Sequence, residues 1–294
     1  MAERQSQCFQ RATWSLAHGC SLELGPKGLL MAIVNVTPDS FSDGGQFRAA
    51  VDAVAYARTC LANGAAIVDI GGESTRPGAE PVSADEEQAR VLPVIAALSA
   101  DKIGILSVDT YRARTAEAAI LAGAHIINDV YGLHREPDIA NVAAATGAGL
   151  CITHTGRGRQ KHSDVIEDQR VFFEAALTIA EKAGVKPEQI VLDPGFGFNK
   201  ETADENLELM QRFAQLLDFG RPLLVGTSRK RFLGAVTGQS AQHRDAATAA
   251  TTALLRLKGA ALFRVHDVAI NRDALAVTDA MMGFDTSLAM ESNP

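Results

Sequence analysis

Eight short apolar runs, each carrying at or near its end a residue that can hydrogen-bond or ionise, recur along this chain with longer helical patterns between them. Residues 29–34, 66–70, 104–108, 125–128, 149–153, 190–192, 222–226 and 261–265 are bounded by Gly, Pro or polar residues, the pattern of strands buried on both faces. The stretches between them read as helices. Residues 84–99 place Val91, Val94, Ile95 and Leu98 on one face, and Ser83 with Glu86 makes a capping box at the start. Thr202 and Glu205 repeat that signature ahead of Leu207, Leu209 and Met210. Eight strand-then-helix units without a Gly/Ser-rich linker predict an α/β fold, a closed (β/α)8 TIM barrel in a single domain, over an open doubly wound sheet. The 294 residues suffice for one such barrel. Residues 13–24, ahead of the first parallel strand, are expected to form a β-hairpin closing the barrel bottom. The barrel domain is drawn over 13–285, with mobile ends at 1–12 and 286–294.

Charge and cysteine usage exclude several classes. A net charge of -7, with basic residues scattered rather than gathered in a stripe, argues against general nucleic-acid affinity. An anionic ligand would need local positive charge. Cys8, Cys20, Cys60 and Cys151 lie far apart with no CxxC pair, so neither a zinc site nor a disulfide scaffold is expected. The start carries Glu3, Arg4 and Arg11 in place of a signal peptide's apolar stretch, and no run reaches membrane-spanning length. Reduced thiols, a cytoplasmic location and no membrane partner are expected.

A barrel of this kind presents its chemistry at the carboxyl ends of its strands. Those ends read Asn35, Asp69, Asp109, Asn128, His154, Asp193, the Ser228-Arg229-Lys230 group and His266. Helix capping explains two or three such residues, not eight. They fall into two chemical kinds. Asp109, Asn128 and Asp193, with Lys230, offer two carboxylates, an amide and an ammonium, which suits a planar heterocycle with alternating donors and acceptors on its edge. Asn35, Ser74, Thr75, Arg264 and His266 are rich in donors and suit phosphate oxygens. Asn35 and Asp43 could also help hold a hard cation through oxygen. The loop from Asn35 to Gly45, kept out of helix or strand by Pro38, Gly44 and Gly45, adds further polar groups at the same rim.

The stretches Asn35-Val-Thr-Pro-Asp-Ser-Phe-Ser-Asp-Gly-Gly45, Asp69-Ile-Gly-Gly-Glu-Ser-Thr-Arg-Pro-Gly78, Ser107-Val-Asp-Thr110, Ile127-Asn-Asp129, Asp193-Pro-Gly-Phe-Gly-Phe198, Ser228-Arg-Lys230 and Arg264-Val-His-Asp267 closely resemble the dihydropteroate synthase family. They occur in that family's order, and the combination is highly specific. The resemblance implies a transferase of folate biosynthesis, which joins 4-aminobenzoate to 6-hydroxymethyl-7,8-dihydropterin pyrophosphate and releases pyrophosphate and 7,8-dihydropteroate. By the same resemblance Asp109, Asn128, Asp193, Gly226 and Lys230 bind the pterin. Asn35, Ser74, Thr75, Arg264 and His266 bind pyrophosphate, with Asn35 the protein ligand of Mg2+. Phe41, Arg76, Pro77, Phe198 and Ser228 form the 4-aminobenzoate pocket, and loops 36–47 and 72–82 are the family's mobile loops. Catalysis would fall to Asp43, Asp193, Lys230, Arg264 and His266 in an SN1-like, Mg-assisted displacement. Sulfonamide inhibition and a homodimer are further expectations from the family.

One departure bears on the pterin face. The family commonly has Met-His after the fifth strand, whereas this chain has Thr153-His154 followed by Thr155-Gly-Arg-Gly-Arg159. A β-branched hydroxyl residue offers less contact than a thioether. His154 reads equally as a ligand contact or a satisfied structural histidine, and Arg157 and Arg159 read as solvated loop charges. Two alternatives remain at this level: a methyltetrahydrofolate-binding corrinoid methyltransferase domain, and a non-catalytic pterin-binding paralogue.

Overall fold

The structure is a computed structural model that describes residues 11–37, 45–74 and 80–283. The ends expected to be mobile, 1–12 and 286–294, lie almost wholly outside the described residues. A hairpin of β1 (Ala12–Ser15) and β2 (Ser21–Leu24) pairs antiparallel with Trp14 opposite Leu22. Eight parallel strands follow: β3 (Leu29–Asn35), β4 (Ile67–Gly71), β5 (Ile105–Asp109), β6 (Ile126–Asp129), β7 (Gly149–Thr153), β8 (Ile190–Asp193), β9 (Leu224–Val225) and β10 (Leu262–Val265). They pair in the order β8-β7-β6-β5-β4-β3-β10-β9. A parallel bridge from Leu192 to Leu223 joins the two ends, closing the sheet into a barrel. The helices are α1 (Gly45–Ala62), α2 (Ala84–Ala100), α3 (Ala113–Leu121), α4 (Asp138–Thr146), α5 (Val165–Ala183), α6 (Ala203–Arg212), α7 (Arg231–Thr237), α8 (Asp245–Leu257) and α9 (Val268–Met281). The expected TIM barrel is the fold.

Each strand divides by its two-residue period. Leu30, Ala32, Val34, Val68, Ile70, Leu106, Val108, Ile127, Leu150 and Phe263 face outward into one core with the helices. Their neighbours Met31, Ile67, Ile105, Ile126, Cys151, Val191, Leu224 and Leu262 face inward and fill the lower barrel. Trp14, Leu16 and Leu24 from the hairpin join that inner cluster and plug its base, with Trp14 Nε1 donating to Gln189 O at 2.8 Å. Two residues further along seven of the strands, on the same inward parity, stand Asp69, Ser107, Asn128, Thr153, Asp193, Gly226 and Arg264, while β3 places Ile33 at that level and Asn35 two residues later. The interior thus switches from apolar to polar in one step along the barrel axis, and this step makes the site.

Local expectations hold with adjustments. Ser83 Oγ accepts from Glu86 N at 3.1 Å, and Thr202 Oγ1 accepts from Glu205 N at 3.1 Å, so both caps form. The returning half of each box is diverted: the Glu86 carboxylate pairs with Arg90, and Glu205 takes Lys161 Nζ at 2.7 Å. Of the apolar residues that follow, Leu207 is exposed, while Leu209 and Met210 pack inward. The run 222–226 keeps only two ladder residues, because Pro222 lacks an amide donor and Gly226 opens onto the site. Cys20, Cys60 and Cys151 are free thiols, and among the described residues no helix is long and apolar enough to cross a membrane.

Candidate active site

Arg264 on β10 reaches across the barrel, its Nε donating to Asp69 Oδ2 and its Nη2 to Asp109 Oδ2, each at 2.6 Å. Asn128 Nδ2 donates to the same Asp69 oxygen at 3.0 Å. Two carboxylates therefore share one guanidinium. Burial would lower the Arg264 pKa, but Asp69 and Asp109 beside it hold it well above its ordinary value. Asp109 stays uncompensated: burial outweighs the pull of Arg264, with Asp69 adding repulsion, and its carboxyl is pushed up to about 7. Asp69 is wholly buried, and its second oxygen, like Asn128 Oδ1 and Ser107 Oγ, has no hydrogen-bond partner among the described residues. Asp69 was not among the assigned site residues, although an acid inside an apolar strand run is the signal that marks it.

Asp193 ends β8, with Oδ1 accepting from Gly195 N at 2.7 Å. Burial pushes it up to about 6, against that amide and Lys230. Gly226 lies opposite; a Cβ there would stand 3.7 Å from Asp193 Oδ2, so the residue keeps the approach open. Lys230 is brought down to about 8 by burial and by the nearby Arg264. Its chain lies across Gly197, where a Cβ would meet Lys230 Cδ at 3.1 Å, and its Nζ sits 4.1 Å from the centre of the Phe198 ring. Between Ser228 and Lys230 the backbone of Arg229 is left-handed (φ 56°). Two bonds from its guanidinium to Asp245, at 2.8 and 2.7 Å, hold it outward and turn its neighbours to the rim.

Ser228 Oγ accepts from the His266 backbone amide at 3.1 Å and lies 2.9 Å from His266 Nδ1, a pairing that fixes the orientation of the ring. At the end of β3, Asn35 Oδ1 faces Gly71, where a Cβ would lie 3.6 Å from that oxygen and 3.6 Å from Asp109 Oδ2. Gly71 leaves a small oxygen-lined space, and hard amide and carboxylate oxygens fit Mg2+ that keeps water and phosphate ligands. Ser74 is exposed on the loop after β4. Phe41, Asp43, Thr75, Arg76 and Pro77 lie outside the described residues.

The loop after β7 departs from expectation. His154 is fully buried, with Nε2 3.0 Å from Asp168 Oδ2 and Nδ1 3.0 Å from Lys200 Nζ. Burial and the Lys200 charge bring it down to about 3, so it is a neutral structural histidine and not a ligand contact. Arg159 is no solvated charge: it donates to both oxygens of Asp168 at 2.8 and 2.6 Å. Nor is Arg157, whose guanidinium carbon lies 5.0 Å from the Phe198 ring centre and 5.7 Å from that of Tyr131. Neither contact is legible from sequence, since the partners come from other loops. Thr153 points inward beside Asp193, with its methyl 3.4 Å from the Cβ position of Gly195.

The barrel whose interior turns from apolar to paired carboxylates, amide and cations is that of a pterin-binding enzyme family: the family described as "Pterin binding enzyme" matches residues 31–266. The dihydropteroate synthase of Clostridium beijerinckii is 43% identical over 260 residues, covering 88% of this chain and 96% of that protein. A solved structure of Xanthomonas albilineans dihydropteroate synthase with 4-aminobenzoic acid superposes with a TM-score of 0.87 at 39% identity, over 93% of this chain and 100% of the other. That of Yersinia pestis dihydropteroate synthase with a sulfonamide drug gives a TM-score of 0.83 at 38% identity, over 91% and 98%. The chain belongs to the dihydropteroate synthase family, a family of transferases.

Proposed function

We propose that this chain condenses 4-aminobenzoate with 6-hydroxymethyl-7,8-dihydropterin pyrophosphate, giving 7,8-dihydropteroate and pyrophosphate. The observation that carries the reading is the polar inner layer itself, where Arg264 joins Asp69 and Asp109, Asn128 donates to Asp69, and Asp193 and Lys230 lie near the same guanidinium. The pterin's aminopyrimidine edge would donate to Asp193 and Asp109, and Lys230 would donate to the ring's acceptor edge. Arg264 and the ring of His266 would hold the pyrophosphate oxygens, joined by Asn35, Ser74 and Thr75. The residues around Asn35 fit Mg2+, which when bound supplies positive charge to the leaving group.

Departure of pyrophosphate takes the electron pair of the carbon–oxygen bond and leaves a methylene cation conjugated with the electron-rich pterin. Asp43 would face that carbon, and Asp193 would support charge spread into the ring. The amine nitrogen of 4-aminobenzoate, held among Phe41, Arg76, Pro77, Phe198 and Ser228, then forms the new carbon–nitrogen bond and loses a proton to solvent. No nucleophilic residue is required, because an aryl amine is already a competent nucleophile.

The same reading takes 13–285 as one pterin-binding domain, the cytoplasm as its location and sulfonamides as competitors of 4-aminobenzoate that are turned over as false substrates. It also includes a homodimer, for which exposed Leu254, Leu257, Val277 and Met281 on α8 and α9 offer an apolar face. The test is pyrophosphate release with purified protein. Release that depends on an added arylamine, with dihydropteroate formation from 4-aminobenzoate competed by a sulfonamide, supports the reading. Pterin binding without release would mark a non-catalytic pterin binder, and methyl transfer from methyltetrahydrofolate a corrinoid methyltransferase.

A further inference from the structure

The turn from Thr227 to Lys230, which brings Ser228 and Lys230 to the site, is held from outside by the first turns of α8. Thr227 Oγ1 lies 2.8 Å from Thr251 Oγ1, Arg229 N donates to Thr248 Oγ1 at 3.2 Å, and Asp245 takes the Arg229 guanidinium. Arg244 reaches further in. Its Nη1 donates to Arg229 O at 3.1 Å and to Lys230 O at 3.3 Å, while its Nε donates to Gln239 O at 2.9 Å. Those two carbonyls flank the Lys230 Cα, so the pair of bonds fixes the direction in which the lysine side chain leaves the backbone. Arg229 between them is left-handed (φ 56°), a conformation that a residue with a side chain keeps only where its surroundings impose it. The Arg244 guanidinium crosses α7 at Gly234, where a Cβ would stand 2.2 Å from Nη2 and 2.5 Å from the guanidinium carbon. Glycine inside a helix is less stable than alanine, and the space that Arg244 fills is the reason for it at this position.

We propose that Arg244 is a positioning residue: by holding the Arg229 and Lys230 carbonyls it sets where the Lys230 ammonium stands beside the Phe198 ring, and so acts on the pterin through Lys230. The inference rests on the pterin reading above and adds what keeps one of its contacts in place. A lysine aimed in advance needs little ordering when the ligand binds.

Gly234→Ala tests this without removing the arginine. The added methyl meets the far end of a flexible side chain, so the fold should stand while Arg244 is pushed off the two carbonyls. Steady-state kinetics should show kcat/KM for the pterin pyrophosphate lowered about tenfold in Gly234→Ala and in Arg244→Ala, with most of the loss recovered in Arg244→Lys. KM for 4-aminobenzoate, whose Ser228 contact is held by His266, should change less than about twofold. The double variant Gly234→Ala/Arg244→Ala should be no worse than either single change, and it should melt above Arg244→Ala, because alanine suits the helix once the guanidinium is gone. Wild-type kinetics in Arg244→Ala, additive losses in the double variant, or a lysine variant no better than the alanine one would overturn the inference with the enzyme still active. So would a lowered melting temperature with the kinetics unmoved. A wild type that releases no pyrophosphate with 4-aminobenzoate would instead overturn the functional reading on which it stands.

Discussion

Asp109 and Asp69 draw on one guanidinium, and that imbalance places a titration inside the working range of the site. In the proposed reading Asp109, at about 7, and Asp193, at about 6, would accept from the pterin as carboxylates, which they are only above those values. Lys230 at about 8 keeps its charge only below that value. The expected pH profile of kcat/KM for the pterin pyrophosphate is therefore bell-shaped, rising through about 6 to 7 and falling above about 8. A flat profile across this range would remove these groups from pterin binding. Asp193→Asn keeps the shape and loses the charge; it should weaken free pterin and its pyrophosphate ester alike by about 1.5–3 kcal/mol, measured by calorimetry. His266→Ala should weaken the ester and leave free pterin untouched. Thr153 faces inward beside Asp193, where its methyl offers little to a ring face. Thr153→Met should tighten pterin by up to about 1 kcal/mol with turnover nearly unchanged; calorimetry showing a loss would place the pterin elsewhere.

The loop after β7 and helix α5 behave as one unit. Asp164 caps α5 through two amides, Ile166 N and Glu167 N, both at 2.9 Å, and Asp168 in the first turn gathers Arg159, His154 and the His162 amide. Burial alone would raise Asp168, but those donors hold its carboxyl well below the usual range. A depressed carboxyl contributes stability that is complete above its unfolded value, near 4, and is lost as pH falls below it. Asp168→Asn leaves Arg159 half-buried without its partner and should cost about 3 kcal/mol near neutral pH. Urea unfolding of wild type and variant should show the gap closing as pH drops below about 4; a constant gap would mean that packing rather than charge sets it.

At the scale of the molecule, the hairpin closes the lower barrel so that the upper layer can be polar. Trp14 is fully buried at that base and its indole bonds Gln189 O at 2.8 Å. Trp14→Ala should cost about 3–5 kcal/mol through the cavity it leaves. Protein that remains folded should keep its KM values, because an apolar layer separates the plug from the site. A raised KM for the pterin in the folded variant would show that the base is coupled to the rim.

The eight strands, the helix caps and the residues standing at the strand ends were readable from sequence, because burial on both faces forces short apolar runs and helix starts need side-chain acceptors for free amides. So were the two chemical kinds of site residue, since donors and acceptors are properties of residue type. What sequence left open is which charges meet. Arg264 could be an ion-pair partner or a phosphate ligand, and Arg157 and Arg159 passed as solvated loop residues until the closed barrel brought Asp69, Asp168 and Phe198 to them. The division of each strand into an apolar floor and a polar layer also needed the register of all eight, because inward and outward differ by a single residue and only closure decides between them.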